Sequence, residues 1–277
     1  MLAAARQWEL VNQRSEPSQS NSVLNFMTDS SRNIIDRCVY CGSAAKSDDH
    51  IPPKTIFPKP RPSNLVTVRS CKACNEGDSK DDEYFRNVLV FREDSGSTSS
   101  GEALWESVRR SLHRPQARKF TLALANAMFD KPVETPGGIF LGTASAMRID
   151  RQRINHVVKR ITRGLYAEHF GRMLPLTDKI QVYCDDSVDR FPPTVADMLG
   201  ELVTITTSQP YHIIGDDVFE YCFSRVTDHP TASAWAMRFY SSVHYFVVNV
   251  PSHYAEIAKD ALSLDQNSGT QNAEFER

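Results

Sequence analysis

The stretch Asp48-Asp49-His50-Ile51-Pro52-Pro53 lies between two C-x-x-C pairs, Cys38-Val-Tyr-Cys41 and Cys71-Lys-Ala-Cys74. A C-x-x-C turn directs both of its sulfurs to one tetrahedral Zn²⁺, so two such pairs predict a four-cysteine structural zinc site. A single pair can instead be a redox motif, which would require a thioredoxin-like strand and helix around it. A site with four thiolates is coordinatively closed, and any chemistry would therefore lie beside the zinc.

Composition narrows the class of protein only in part. The chain has 277 residues and a formal net charge of -2, so it is long enough for a hydrophobic core, and its charge neither supports nor excludes a nucleic-acid partner. We find no apolar run that would span a bilayer and no signal-peptide core, and we expect a soluble, cytoplasmic protein with no membrane partner. Cys184 and Cys222 are expected to be small apolar strand residues rather than disulfide partners.

The distribution of residue types predicts four segments and an α+β fold. Residues 1–33, rich in Ser, Asn and Gln, are expected to form a flexible arm, and residues 34–91 a small metal-held module. Residues 102–263 are expected to form an α+β domain, with two helices broken near Pro115 and a third over 149–171. The strands of its antiparallel sheet are predicted at KIQVYC, ELVTIT, PYHIIG, VFEYCFSRV, AWAMRFYSS and VHYFVVNV. Residues 264–277 are expected to be a disordered tail.

The residues between the cysteine pairs are candidates for chemistry. Asp49 offers a hard oxygen ligand for a divalent cation, and His50 offers a base that titrates near neutral pH. Neighbouring side chains of an extended strand point to opposite faces. Asp49 can therefore share a site with His50 only if the chain bends, which Pro52 and Pro53 favour, or if a helix packs so as to close one site around both residues. Asp48 is the alternative ligand.

Two amides and a set of basic residues complete the candidate site. Asn64 can orient His50, and Asn75 can supply a second oxygen to the metal, although Asn64 also suits a turn and Asn75 the left-handed end of a zinc knuckle. Basic residues near the motif and on the helix over 149–171 are expected to contact nucleic-acid phosphate, or else to form a solvated face. They are Lys54, Lys59, Arg61, Lys80, Arg153, Arg160 and Arg163.

The order and kinds of these residues over about 38–86 resemble the HNH endonuclease family in its zinc-bearing ββα-metal form, here as an H-N-N variant. The resemblance implies a β-hairpin and a following helix that clamp one catalytic Mg²⁺ or Mn²⁺ against the scissile phosphate. It implies His50 as the general base, Asn64 as its orienting residue, and Asp49 and Asn75 as the metal ligands. The four cysteines would hold the structural Zn²⁺.

The expectation that follows is an HNH endonuclease that hydrolyses DNA phosphodiester bonds. By analogy with the family, it would act in restriction or anti-phage defence, with a protein partner or an oligomeric state left open. The alternative is a non-catalytic zinc-knuckle protein that binds nucleic acid or a protein partner. The residue pattern does not distinguish DNA from RNA.

Overall fold

A computed structural model of the chain describes residues 36–92, 98–184, 193–226, 229 and 231–252. The expected arm (1–33) and tail (264–277) lie outside these residues. The described part contains six α-helices and three antiparallel sheets, which confirms the α+β class. None of its helices combines the length and the apolar character that crossing a membrane requires.

The segment around the cysteine pairs folds as a hairpin followed by helices. Strand β1 (Ser47–Ile51) pairs antiparallel with β2 (Val66–Ser70). Strand β1 ends before Pro52 and Pro53, which lack the N–H groups that would extend it, and the loop then forms a 3-10 turn at Lys54–Ile56. Helices α1 (Lys72–Gly77) and α2 (Ser79–Val90) follow.

The next segment contains the two predicted helices and a hairpin that was not predicted. Helices α3 (Ser99–Leu112) and α4 (Arg118–Ala127) are separated by a 3-10 turn that starts at Pro115, as expected. Strands β3 (Met128–Glu134) and β4 (Phe140–Met147) then form a separate two-stranded sheet. The turn signal Pro136-Gly137-Gly138 between two runs of strand-forming residues was available in the sequence.

The long helix α5 (Arg151–Phe170) confirms the helix predicted over 149–171. The Asp150 carboxylate caps its N-terminus by accepting hydrogen bonds from the Gln152 and Arg153 backbone N–H groups at 3.1 and 3.3 Å. Its C-terminus ends at Gly171, where φ is 59° and glycine has no steric penalty. Arg160–Thr162 and Gly164–Ala167 are buried in unbroken runs, so neighbouring elements enclose the C-terminal half of the helix.

The third sheet has five strands in the order β5-β9-β8-β7-β6. They are β5 (Lys179–Cys184), β6 (His212–Ile214), β7 (Phe219–Arg225), β8 (Ser233–Phe239) and β9 (Val243–Val250). The strand predicted at ELVTIT is wrong, because these residues lie in helix α6 (Pro193–Thr207). Leu199 and Thr206, seven residues apart, are buried on the helix face that packs against β7 and β8, and this packing outweighs the β-propensity of the segment.

The hydrophobic core is continuous across the boundary that was expected near residues 91–102. The rings of Phe85 in α2 and Phe239 in β8 lie 5.3 Å apart in an edge-on arrangement. In α5, Gly164 lies so close to β1 that a Cβ atom there would be 2.5 Å from Cγ1 of Ile51. The cysteine-bearing hairpin is therefore held by a shared core in addition to any metal.

Candidate active site and zinc cluster

The four cysteines of the two C-x-x-C pairs converge at one end of the hairpin. Their sulfur atoms all lie within 4.8 Å of one another, and the Cys41 and Cys71 sulfurs are 3.7 Å apart. Thiolates at about 2.3 Å from a tetrahedral Zn²⁺ would be separated by about 3.8 Å. The cluster therefore has the donor set and the spacing that a structural zinc requires.

Local structure explains how the thiols are positioned. Cys71 caps α1, and its sulfur accepts a hydrogen bond from the Cys74 backbone N–H at 3.4 Å. On the other side Gly42 has a φ of 74°, which closes the turn after Cys41. Hydrogen bonds from Ser43 lower the pKa of Cys41 to about 6, whereas burial raises the pKa of Cys38 and of Cys74. Zinc binding would therefore have to displace the protons of these two thiols.

Strand alternation sorts the residues of β1 onto two faces. Asp49 and Ile51 are buried on the core side, whereas Asp48 is exposed and His50 half-buried on the outer side. Burial, followed by the charge of Lys54, lowers the pKa of His50, so its ring is mainly neutral at pH 7. A neutral, partly accessible imidazole can accept a proton from water.

The loop between β1 and β2 carries basic residues, and the charges of Lys54 and Arg61 act on the His50 ring. Lys54, Lys59 and Arg61 are exposed there, and the Arg61 side chain is held by a 3.2 Å hydrogen bond from its Nε to the Lys54 carbonyl. Lys80 is exposed in α2. The phosphate contacts expected of these four residues stay a prediction.

Asp49 does not lie on the side of His50, which corrects the expected geometry. Its carboxylate is buried and accepts hydrogen bonds from Arg160 Nη2 at 2.6 Å and from the Tyr40 hydroxyl at 2.9 Å. The prolines end the strand only after Ile51 and leave the alternation at Asp49 and His50 intact. The structure therefore assigns Asp49 to an internal ion pair and not to a cation shared with His50.

Asp48, the alternative ligand, shares the outer face with His50. Its carboxylate pairs with Arg69 of β2 at 2.8 Å, and both side chains are exposed, so solvent screening makes this pair weak. The side-chain amide of Asn75 donates to the Asp48 backbone carbonyl at 3.1 Å. Asp48 and His50 thus share one face of the hairpin, and Asn75 is hydrogen-bonded to the backbone of β1 at Asp48.

Asn64 is engaged elsewhere. Its side-chain amide donates to the Ile213 carbonyl at 2.9 Å and so links the β1–β2 loop to β6. This is the behaviour expected of a loop-fixing amide, and the hydrogen bond occupies the group that was expected to orient His50.

The three arginines of α5 that were expected to contact nucleic acid have partners within the protein. Arg160 is 5% exposed, and its guanidinium pairs with Asp82 at 2.8 Å and Asp78 at 3.2 Å in addition to Asp49. Burial alone would lower the pKa of Arg160, but Asp82 and the other surrounding groups raise it, so its charge is permanent. The prediction that Arg160 binds nucleic acid is wrong, because no ligand reaches a side chain so enclosed.

Arg153 and Arg163 have partners as well. Arg153 pairs through Nε with Asp81 at 2.6 Å and lies over the Tyr84 ring, 4.2 Å from its centroid. Arg163 donates to the Leu174 carbonyl at 2.9 Å. The sequence shows a basic stripe on α5, but it does not show that acidic residues of α2 pack against that stripe.

A second group of ligand-type side chains belongs to the same network. Ligand atoms of Asp78, Asp81 and His156 lie within 4.8 Å of one another, and His156 Nε2 is 3.1 Å from Asp78. Both carboxylates already pair with arginines of α5. We call the set Asp49, Asp78, Asp81, Asp82, Arg153, His156 and Arg160 the α5 charge network. Sequence reasoning missed it, because its members are spread over 112 positions.

No family model matches the chain, and comparisons with curated proteins and with solved structures also find no match. The resemblance to HNH nucleases therefore rests on the motif residues of this chain.

Proposed function

We propose that the chain is a metal-dependent endonuclease in which His50 is the general base that activates water for hydrolysis of a DNA phosphodiester bond. The observation that carries this proposal is the setting of His50. It is a half-buried histidine with a lowered pKa on the outer face of a hairpin that carries the four-cysteine cluster, and the charges of Lys54 and Arg61 act on its ring. Such a ring can take a proton from water while the adjacent cations attract phosphate.

The residues that would hold a catalytic cation are revised by the ion pair of Asp49. Asp48 shares the strand face of His50, and Asn75 contacts the Asp48 backbone; the two residues offer the carboxylate and amide oxygens that Mg²⁺ and Mn²⁺ prefer. A bound cation would neutralise charge that develops on the phosphate and the leaving oxygen. His50 would accept the proton of the attacking water, and Lys54 would help to position the phosphate.

The ligand assignment has a direct test, because the two aspartates differ in burial. Asp48→Asn removes one exposed partner of a surface pair, which should change stability by less than about 1 kcal/mol while abolishing metal-dependent cleavage. Asp49→Asn breaks a buried pair and should lower stability by more than that. If Asp48→Asn cleaves DNA at the wild-type rate, Asp48 is not a ligand.

The nuclease itself is tested by nicking of supercoiled plasmid with Mg²⁺ or Mn²⁺. We expect wild-type protein to nick, EDTA to stop the reaction and His50→Ala to be inactive while it retains its zinc. Equal nicking by wild type and His50→Ala would refute the role of His50. A function in cytoplasmic restriction or anti-phage defence would follow only as the biological setting of this activity.

A second candidate function is a non-catalytic zinc module that binds nucleic acid or a protein partner. It is favoured by the hydrogen bonds that occupy Asp49 and Asn64, two of the four residues on which the HNH resemblance depends. This alternative predicts no EDTA-sensitive cleavage by any variant and nucleic-acid binding that is unchanged in His50→Ala.

A further inference from the structure

Four aromatic side chains on one face of the five-stranded sheet have stacked rings. Trp235 of β8 stacks on Phe223 of β7 with ring centroids 4.7 Å apart, and Phe223 stacks on His212 of β6 at 5.8 Å. His212 also lies parallel to Tyr221, its partner across the ladder, with centroids 5.0 Å apart and an interplanar angle of 17°. These separations are typical of offset-stacked rings. The stack leads from the buried Trp235 to the exposed His212.

His212 lies at the outer edge of the sheet, because β6 is the last strand of the described sheet. One face of its ring lies against Tyr221 and Phe223 on the neighbouring strand. The other face therefore points away from the sheet. We call the His212 ring, with Tyr221 and Phe223 behind it, the stacking platform. A flat ring from a ligand can lie on its outer face, as bases do on the aromatic side chains of proteins that bind single strands.

Two arginines border the same group of rings. The Arg225 guanidinium is 4.9 Å from the ring centroid of Phe170, and Arg172 lies over Tyr166 at 6.0 Å. Burial raises the pKa of Tyr166, and the charges of Arg172 and Arg225 both oppose that rise, so the two cations lie around one ring. Phe170 packs edge-on against Phe223, with centroids 5.5 Å apart. The arginines are thus connected to the stacking platform through Phe170.

The charges around these rings suit a phosphate. Arg225 is exposed and has no carboxylate partner among the residues that the structure describes. The acids that act on the rings are Glu168, which acts on Tyr221, and the buried Asp178, which acts on Tyr166. A guanidinium that lies flat on an aromatic ring keeps its N–H groups available for the oxygens of a phosphate. Arg225 is therefore placed to bind an anion.

The β1–β2 loop is fixed along the same edge of the sheet. The Asn64 amide donates at 2.9 Å to the carbonyl of Ile213, the residue after His212. Just beyond β6, a Cβ atom on Gly215 would lie 2.8 Å from a ring carbon of Phe57, so the loop packs closely there as well. This loop carries the exposed basic residues Lys54, Lys59 and Arg61. Further cations are thus held on the loop beside β6.

We propose that the stacking platform binds an unpaired base of a single-stranded nucleic acid, and that Arg225 and the β1–β2 loop contact the neighbouring phosphates. Proteins that bind single strands combine cations along the backbone with aromatic side chains on which the bases stack. A base within a duplex is paired and enclosed by its neighbours, so the platform favours an unpaired base. The site goes beyond the proposed nuclease, because it lies outside the β1–β2 hairpin and does not require His50.

Binding of a fluorescently labelled dT oligonucleotide of about 12 nucleotides tests the proposal, by anisotropy with the full chain and without added divalent cation. His212→Ala should weaken binding at least about fivefold, the effect expected from the loss of one base stack. His212→Phe keeps an aromatic ring and should retain binding. Ile213→Ala, a change on the opposite face of β6 at a side chain that is 54% exposed, is the matched control and should bind like wild type. A wild type that does not bind dT, or equal binding by wild type and His212→Ala, would overturn the proposal.

Salt dependence and competition test the two parts of the site separately. Arg225→Ala should reduce the slope of log K against log salt concentration by about 0.7, which corresponds to one phosphate contact on a single strand. An unchanged slope would overturn the role of Arg225. Unlabelled dT and rU oligonucleotides should displace the probe, because both offer bases and phosphates. Displacement by a duplex or by poly-glutamate as efficient as by dT would overturn base stacking. None of these outcomes depends on cleavage, so they stand apart from the test of the nuclease.

Discussion

Replacement of Arg160 by methionine is the most severe test of the α5 charge network. The guanidinium lies 2.6, 2.8 and 3.2 Å from oxygens of Asp49, Asp82 and Asp78. Methionine replaces the apolar stem of the arginine and removes the charge. Removing one member of a buried ion pair costs about 3–5 kcal/mol, since the remaining charge stays buried without a partner. We expect a loss of that size in the free energy of unfolding, measured by urea denaturation at pH 8.

The loss should depend on pH in a defined direction. Burial raises the pKa of Asp82 to about 6 even with Arg160 present, and without the arginine the pKa should rise further. Protonation then relieves the uncompensated charge, so Arg160→Met should be less destabilising at pH 5 than at pH 8. Arg153→Met, which breaks a pair with side chains 30% and 28% exposed, is the control and should cost about 1 kcal/mol. If Arg160→Met costs no more than this control, the network does not hold α5 to the hairpin.

Three further predictions concern packing, titration and zinc. Gly164→Ala should destabilise the protein by about 1–2 kcal/mol, because the added methyl group would collide with Ile51. Gly200→Ala has open space around it and should stabilise α6 by up to about 1 kcal/mol. Urea denaturation measures both changes, and stabilisation by both variants would contradict the close approach of Gly164 to Ile51. Burial lowers the pKa of His169 from 6.5 to about 4. Stability that is present above pH 6.5 should therefore be lost as the pH falls towards 4, by about 1–2 kcal/mol after allowance for partial exposure. Thermal unfolding of His169→Gln should lack this loss, and an acid profile equal to that of wild type would refute the prediction. Cys71→Ser should bind less zinc than the one ion per chain expected of wild type, whereas Cys184→Ser should bind as much as wild type. Atomic emission measures the zinc content, and equal zinc in the two variants would contradict the four-thiolate site.

The sequence was most informative where one local pattern decides the structure. The spacing of the cysteine pairs predicts their convergence, and the apolar period of residues 151–170 predicts α5. The apolar period is a short-range signal, and the cysteine spacing is specific because few residue types bind zinc. The strand expected at ELVTIT failed because the segment continues a helix whose buried residues, among them Leu199 and Thr206, pack on the sheet, and a single sequence does not show that contact.

The partners of charged residues could not be predicted, because they lie far apart in the chain. Arg160 and Asp49 are 111 residues apart, so no local pattern shows that this arginine is buried and this aspartate engaged. The expected bend at Pro52 and Pro53 does not turn Asp49 towards His50, because the prolines lie after the end of β1. The plain alternation of β1 already places Asp48 on the face of His50.

The most direct measurement of the central claim is the single-turnover rate of cleavage of a labelled DNA duplex in the presence of Mn²⁺. Loss of a general base typically lowers a rate by about 10²–10⁴-fold, so His50→Ala should fall in that range while it retains the zinc and the unfolding midpoint of wild type. His113→Ala, a change at an exposed histidine in the turn after α3, should cleave at the wild-type rate. Equal rates for His50→Ala and His113→Ala would contradict the account.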